Sequence, residues 1–392
     1  MLITRQFGAD KVVAHDDALR ALLERDWTRE RGGLLAYFPV NVGNPFQALL
    51  YSGLDAANLT PVPTHDPQTT KQVALALEGS GLDLVVHLHW LNVVLAKAKD
   101  EAEAREASKR YLGQLDDLRE RGARLLWTVH NILPHEAHFT DLEVELRKGV
   151  VERVERIHVM SERTQELVAP WFDLPDDKLM PVPHPSYLGV YPTWMPRAQA
   201  RQQLGISPDT IVFLLVGRVK PYKGITELLD AFDTLSEREP GRYELLVAGP
   251  PGHEDETKAF KERLLAHPTA HGALRKLSDQ ELQVFCKAAD VAVFPYRRSL
   301  NSGALSLALT FGLPVIVRDD GGEGARIESS YGILYGGEDP DGLVAALADA
   351  RRLLTPEARA SAAEAAERHA PARVSGAFAA AVRHWLDSER AL

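Results

Sequence analysis

The chain has 392 residues, 45% of them hydrophobic and 26% charged, with a formal net charge of −10. That length exceeds one ordinary core and predicts two domains, while an acidic balance with no long basic run excludes nucleic acid as the main partner. The lone cysteine, Cys286, can form no intramolecular disulfide, and its place in a helical stretch reads as a small buried hydrophobe.

From the N-terminus, Met1–Phe7 has no cationic segment leading into an apolar core, and no apolar run reaches membrane-spanning length. The expected location is the cytoplasm, with peripheral contact at the inner membrane face kept open. Strand-like runs then alternate with helical ones. Strands are expected at residues 34–40, 82–90, 124–130 and 156–160, and helices at 47–58, 96–121 and 162–169. Such alternation predicts a parallel sheet covered on both faces. The proline-rich segment Pro181–Pro192 reads as a connector, because each proline forces the residue before it toward extended backbone. A second series follows, with strands at 211–216, 243–248, 291–295 and 313–317, a clear helix at 279–288 and a helical tail from Pro356.

Four loops carry candidate chemistry. Val216-Gly217-Arg218-Val219-Lys220-Pro221-Tyr222-Lys223-Gly224 joins an apolar strand to an amphipathic helix. Glycine lets backbone N–H groups approach a diphosphate, Arg218 can fork onto its oxygens, and Lys223 supplies a point charge. Asn301-Ser302-Gly303 opens a helix, whose free N–H groups and positive dipole end suit phosphate as well as simple capping. His130, in Thr128-Val129-His130-Asn131, ends a strand where a ligand would sit, and an imidazole there can exchange a proton with a sugar hydroxyl. Glu136 follows as a second candidate base, with His135 and His138 weaker. The fourth loop, Asn41-Val42-Gly43-Asn44, offers amides and a glycine to a sugar or phosphate and would serve equally as a connector. The histidines at 87, 89, 130, 135 and 138 match no familiar zinc spacing, so no metal is expected. The glycine fingerprint of nicotinamide or flavin sites is absent from the chain, as is that of P-loop ATPases.

At these residues the chain resembles glycosyltransferases of the GT-B fold, in the GT4-like group known as group 1. The resemblance rests on Gly217-Arg218 with Lys223-Gly224, on Leu277-Ser278-Asp279-Gln280-Glu281-Leu282 followed by Ala289–Pro295, on Gly312-Leu313-Pro314-Val315-Ile316, and on Thr128–Asn131. It implies an α/β fold of two Rossmann-like domains facing across a cleft. The boundaries expected are 1–193 for the acceptor side and 194–372 for nucleotide-sugar binding, with 373–392 as a helix crossing back to the first domain. It also implies that Gly217, Arg218, Lys223, Asn301, Ser302 and Gly303 hold the donor diphosphate. Arg275, Lys276 and Leu277 would hold the nucleoside, and His130 would meet the transferred sugar. Asn41, Gly43 and Asn44 would form the loop on the acceptor side. One departure stands out: the two glutamates usual in this group, aligned on Gly312, are here Ser299 and Leu307.

The expected function is transfer of a hexose from a GDP- or UDP-sugar to a hydroxyl acceptor, such as a lipid-linked saccharide, a polysaccharide precursor or a natural product, with no cofactor and no metal. A sugar-nucleotide epimerase, a phosphorylase and a non-catalytic sugar-nucleotide binder remain as alternatives. With Ser299 and Leu307 in place, neither retention nor inversion is assigned. An inverting reaction would need His130 or Glu136 as base. In a retaining one the leaving diphosphate would assist and the cations would carry the catalysis.

Overall fold

The computed structural model describes residues 32–133, 138–252, 254–297 and 299–389. The chain divides into two compact units. One runs up to Pro185 and resumes at Pro371; the other is Ser186–Ala370.

The first unit holds a six-stranded parallel sheet of β1 (Gly33–Phe38), β2 (Leu59–Pro63), β3 (Asp83–Leu88), β4 (Arg124–Thr128), β5 (Arg156–Val159) and β6 (Leu179–Pro181) in the order β2-β1-β3-β4-β5-β6. β1 and β3 are buried at every residue, as a strand covered on both faces must be. Phe46, Leu50 and Leu54 pack on one face of this sheet together with Phe378, Val382, Trp385 and Leu386 from the helix Pro371–Ser388. The chain thus returns to its first unit to close that core.

The second unit repeats the plan with β7 (Ile211–Val216), β8 (Tyr243–Ala248), β9 (Ala270–Ala273), β10 (Val291–Phe294), β11 (Val315–Arg318) and β12 (Gly332–Tyr335), all parallel, in the order β12-β11-β10-β7-β8-β9. The helix Ile225–Arg238 shows why this layer forms. Ile225, Leu228, Leu229, Phe232 and Leu235 recur at helical spacing and are all buried in the core that includes Phe213, Leu215 and Leu245 of the sheet.

The structure departs from the sequence reading at the strands it passes over. β2, β6, β9 and β12 are the four sheet edges. β2 carries Pro61 and Pro63, and β6 ends on Pro181, inside the segment read as a connector. Proline is tolerated on an edge because one side of the strand needs no donor. The helix expected at 47–58 stops at Tyr51, with a short 3-10 turn at Leu54–Ala57, and the helical tail is two helices, Pro356–Arg368 and Pro371–Ser388. Cys286 is fully buried, and burial pushes its thiol up to about 12, as expected of a packing residue. No helix among the described residues is long and apolar enough to cross a membrane.

Candidate functional site

The second sheet reverses its winding between β7 and β10, and ligands of doubly wound sheets bind outside the carboxyl ends of such a pair. The loop Gly217–Gly224 leaves β7 and the loop Pro295–Ser302 leaves β10. They are joined by the Arg297 N–H donating to the Tyr222 carbonyl at 2.9 Å. Gly224, at φ +67°, lies so close to the end of β10 that a Cβ would come within 2.3 Å of the Pro295 carbonyl oxygen. On the other side, Val219 donates to the Pro250 carbonyl at 2.9 Å and Gly252 donates to the Val219 carbonyl at 2.7 Å. Gly249 permits that contact: at φ +145°, its Cβ would meet the Gly217 oxygen at 2.1 Å. Only glycine adopts these conformations at such separations.

Inside this frame sits Lys223, only 7% exposed. Its Nζ donates to the Tyr296 hydroxyl at 3.1 Å and lies 4.6 Å from the centre of that ring. It also lies 3.1 Å from the point a Gly217 side chain would occupy, a point 3.5 Å from Ala304. The ammonium, Gly217 and the start of the helix Gly303–Thr310 therefore share one crevice. Burial, with Arg218 and Lys220 adding repulsion, lowers the lysine to about 7. Among the described residues no carboxylate pairs with Lys223. Arg218 is exposed beside it.

Ser302 caps the helix, its Oγ accepting from the Leu305 N–H at 3.2 Å. Its own N–H donates to the carboxylate of Glu323. The N–H groups of Gly303 and Ala304 are then the first-turn donors with no helical acceptor. Glu323 is a residue the sequence reading misses. It is 5% exposed, Arg326 stands 3.4 Å away, and its Oε1 has no hydrogen-bond partner. Burial raises its pKa, against the pull of Arg326 and the Ser302 N–H. The Ser299 carbonyl accepts the Gly322 N–H at 2.8 Å and so shapes the turn that delivers Glu323. Leu307 is buried. A carboxylate thus reaches this crevice from the loop after β11, and the signal was a glutamate set among glycines, Gly321-Gly322-Glu323-Gly324, just beyond a strand.

Arg275, Lys276 and Leu277 follow β9, the edge strand two positions from β7. The Arg275 guanidinium is held by Glu281, which also completes the capping box at Ser278. Asn301 is half-buried beside the helix start.

In the first unit the winding reverses between β1 and β3. The loop after β1 holds Asn41, Gly43 and Asn44, and its amides are largely engaged in shaping it. Asn41 Oδ1 accepts from Gly43 at 3.2 Å, Asn44 Oδ1 accepts from Phe46 at 3.0 Å, and Asn41 N–H donates to Gln47 Oε1 at 2.9 Å. Beside it a recess is lined by Phe38, His65, Asp66, Val93, Arg110 and Tyr111. A second recess lies between the ends of β3 and β4, where His130 meets His89, Trp90, Asn131 and Arg147. The His130 ring stacks on Trp90 at 4.3 Å and meets Phe46 edge-on at 5.1 Å. Burial, then His89, His158 and His184, hold it well below the usual histidine range. Arg147 is buried against Glu143 at 2.5 Å. Glu136 and His135 lie outside the described residues, and His138 is exposed. Of the five histidines close in sequence, His87, His89 and His130 come together: the first two have ring centres 4.3 Å apart and are both hydrogen-bonded to Tyr51, and His89 Nδ1 lies 2.8 Å from His130 Nε2.

Residues 196–369 match the family described as Glycosyl transferases group 1. That match covers nearly the whole of the second unit. Among curated proteins, the chain is similar to a D-inositol 3-phosphate glycosyltransferase of Corynebacterium efficiens, 29% identical over 198 residues, 48% of this chain and 46% of the relative. A second such enzyme, of Catenulispora acidiphila, is 34% identical over 38% of this chain and 37% of its own length. The chain therefore spans less than half the length of these relatives. A GDP-mannose:glycolipid 4-beta-D-mannosyltransferase of Xanthomonas campestris is 25% identical over 68% of this chain and 70% of the relative. Among solved structures, HepE of Anabaena, in complex with UDP and glucose, superposes with a TM-score of 0.63 at 14% identity, over 92% of this chain and 100% of that one. Sucrose-phosphate synthase of Thermosynechococcus elongatus gives 0.62 at 17% identity, over 92% and 99%. These likenesses establish the fold class, two Rossmann-like units of the GT-B kind.

Proposed function

We propose that the protein is a glycosyltransferase that moves a hexose from a GDP- or UDP-sugar to a hydroxyl acceptor. The observation that carries this reading is Lys223. A buried ammonium with a phenol as its hydrogen-bond acceptor, at a sheet switch point and beside a helix N-terminus, is a site built for an anion. Gly217, Lys223 and the N–H groups of Gly303 and Ala304 would hold the diphosphate, with Arg218 closing on it from the exposed side. Ser302 would act mainly as the cap that orients those donors. Neutralising the leaving diphosphate is the step these groups can accelerate. His130 would accept a hydrogen bond from a sugar or acceptor hydroxyl in the first unit. The recess beside β1, part apolar and part charged, suits an acceptor with both a saccharide and a greasy portion, in keeping with the glycolipid named for the Xanthomonas relative. Neither a protein-bound metal nor a cofactor enters this reading, and the protein would act without entering a membrane.

A thermal-shift panel of UDP-, GDP- and dTDP-sugars tests it. A nucleotide at about a hundredfold its dissociation constant should add roughly 2.7 kcal/mol of stability. Arg218→Ala and Lys223→Ala should lose that shift. If none of these sugars binds or turns over at millimolar concentration, the reading fails; binding without turnover would leave a sugar-nucleotide binder.

A further inference from the structure

Six hydrogen bonds run as one line through the core of the first unit. His158 Nε2 lies 2.8 Å from the Val182 carbonyl and His158 Nδ1 lies 2.9 Å from Thr128 Oγ1. Thr128 Oγ1 is 2.6 Å from His87 Nε2, and His87 Nδ1 is 2.8 Å from the Tyr51 hydroxyl. The hydroxyl is 2.5 Å from His89 Nε2, and His89 Nδ1 is 2.8 Å from His130 Nε2. Every member except His130 is nearly or completely buried; His130 alone is half-buried and opens on a recess.

A carbonyl oxygen can only accept, and a neutral imidazole carries one donor and one acceptor. His158 must therefore hold its proton on Nε2, which leaves Nδ1 to accept from the Thr128 hydroxyl. The Thr128 oxygen then accepts from His87 Nε2–H, so His87 Nδ1 accepts from the Tyr51 hydroxyl. The Tyr51 oxygen accepts from His89 Nε2–H, and His89 Nδ1 accepts from His130 Nε2–H. The direction of all six bonds follows from one backbone carbonyl. What is left at the end of the line is the lone pair of His130 Nδ1.

We propose that this line is a tautomer lock. Tyr51, His87, His89, Thr128 and His158 are positioning residues that keep His130 as the Nε2–H tautomer, with a bare Nδ1 to accept from a substrate hydroxyl. The inference rests on the glycosyltransferase reading for what the hydroxyl belongs to, and on the geometry alone for the tautomer. Its consequence is selectivity. A site that ends in a fixed acceptor favours ligands that present an O–H there, and a deoxy or fluoro analogue leaves it unpaired. The other polar groups around His130 do not disturb the line. His184 donates its own Nδ1–H to the Pro185 carbonyl at 2.7 Å, across Phe46, and Arg147 is paired with Glu143.

The test is nitrogen-15 spectroscopy of the full chain labelled at histidine, without any sugar added. His87, His89, His130 and His158 should each show a protonated Nε2 and a bare Nδ1, whereas His184 should show the opposite pattern. A protonated Nδ1 on His130 in the unliganded protein overturns the proposal, whatever the activity. Tyr51→Phe removes the central hydroxyl and frees His89 to turn its proton toward His130; a mixed or reversed His130 tautomer is expected, and an unchanged one counts against the lock. In transfer assays Tyr51→Phe should lower kcat by on the order of tenfold or more while KM changes little, the pattern of a base held in the wrong tautomer. Thr128→Ser, which keeps the hydroxyl, should retain both the tautomer and the rate. If the spectra agree and no sugar is transferred, the lock stands and the proposed activity is what fails.

Discussion

At the residue scale, Lys223 sets function against stability. Its ammonium is lowered to about 7 in the folded protein from 10.5, so between those values the unfolded chain binds the extra proton. The folded state should therefore gain stability as pH rises from about 7 toward 10, the reverse of a salt-bridged lysine. Under the proposed function, nucleotide binding would recharge the amine, so affinity should fall as pH climbs above 7; calorimetric titration at pH 6.5 and 8.5 in buffers of different ionisation heat should then show proton uptake. Lys223→Met should bind no nucleotide and yet unfold at a higher temperature near pH 7, by roughly 1 kcal/mol or more, because a buried unpaired charge is gone. A variant that is both inactive and less stable would assign the lysine to the scaffold. Glu323 behaves differently. Glu323→Ala removes the carboxylate beside the half-buried Arg326 and frees the Ser302 N–H, and should cost about 1–3 kcal/mol in chemical denaturation. Lys223 was legible in the sequence because a Lys-Gly pair after an apolar strand is a local pattern. Glu323 was not, since what brings it to Ser302 is the pairing of β10 with β11 and the turn at Ser299.

At the scale of elements, the central strands were legible and the edges were not. β7, with six consecutive apolar residues, leaves a run no helix or loop would produce. β9, Ala-His-Gly-Ala, and β2, with prolines at alternate positions, carry almost no pattern; they are strands because a neighbour's unpaired groups recruit them. The same reasoning separates the candidate residues of the two units. The crevice at Lys223 follows from single loops, but the histidine line needs β1's following helix, β3, β4 and β5 side by side. Its four imidazoles are all lowered, chiefly by burial, with His158 at about 4. As pH falls below about 6.5 the unfolded chain takes up protons that the folded unit refuses, so stability should decline between pH 6.5 and 4 with a slope approaching four protons. Thermal unfolding of the Tyr51→Phe and His87→Asn variants against pH will measure how much of that slope the line supplies. A second anchor is Asp290. It accepts from the Val212 N–H at 2.9 Å and from Arg201 at 2.6 Å, with Arg197 and Arg359 also against it, and so pins the start of β7. Asp290→Ala should cost about 3–5 kcal/mol, as expected when the buried Arg201 guanidinium loses its partner.

At the scale of the whole molecule, the two units are unequal in how they are assembled. Ser186–Ala370 is one continuous stretch, whereas the first unit needs residues on both sides of it. Phe378, Val382, Trp385 and Leu386 are buried in the first unit's core, and Arg124 reaches Glu389 at 2.7 Å. A chain ended at Ala370 should keep the second unit folded and lose the cooperative unfolding of the first unit, exposing the apolar surface around Phe46 and Leu50. Circular dichroism and dye binding on the truncated protein will report both; a fully native first unit would show that the helix is an accessory.

The return of the chain at Pro371 also orders events during synthesis. The first unit is translated first but cannot be completed until residues 371–388 have left the ribosome, by which time the second unit has had its whole sequence available. The second unit can therefore form while the half bearing His130 still waits with an uncovered sheet. Until then, that sheet is the part of the nascent chain most in need of a chaperone.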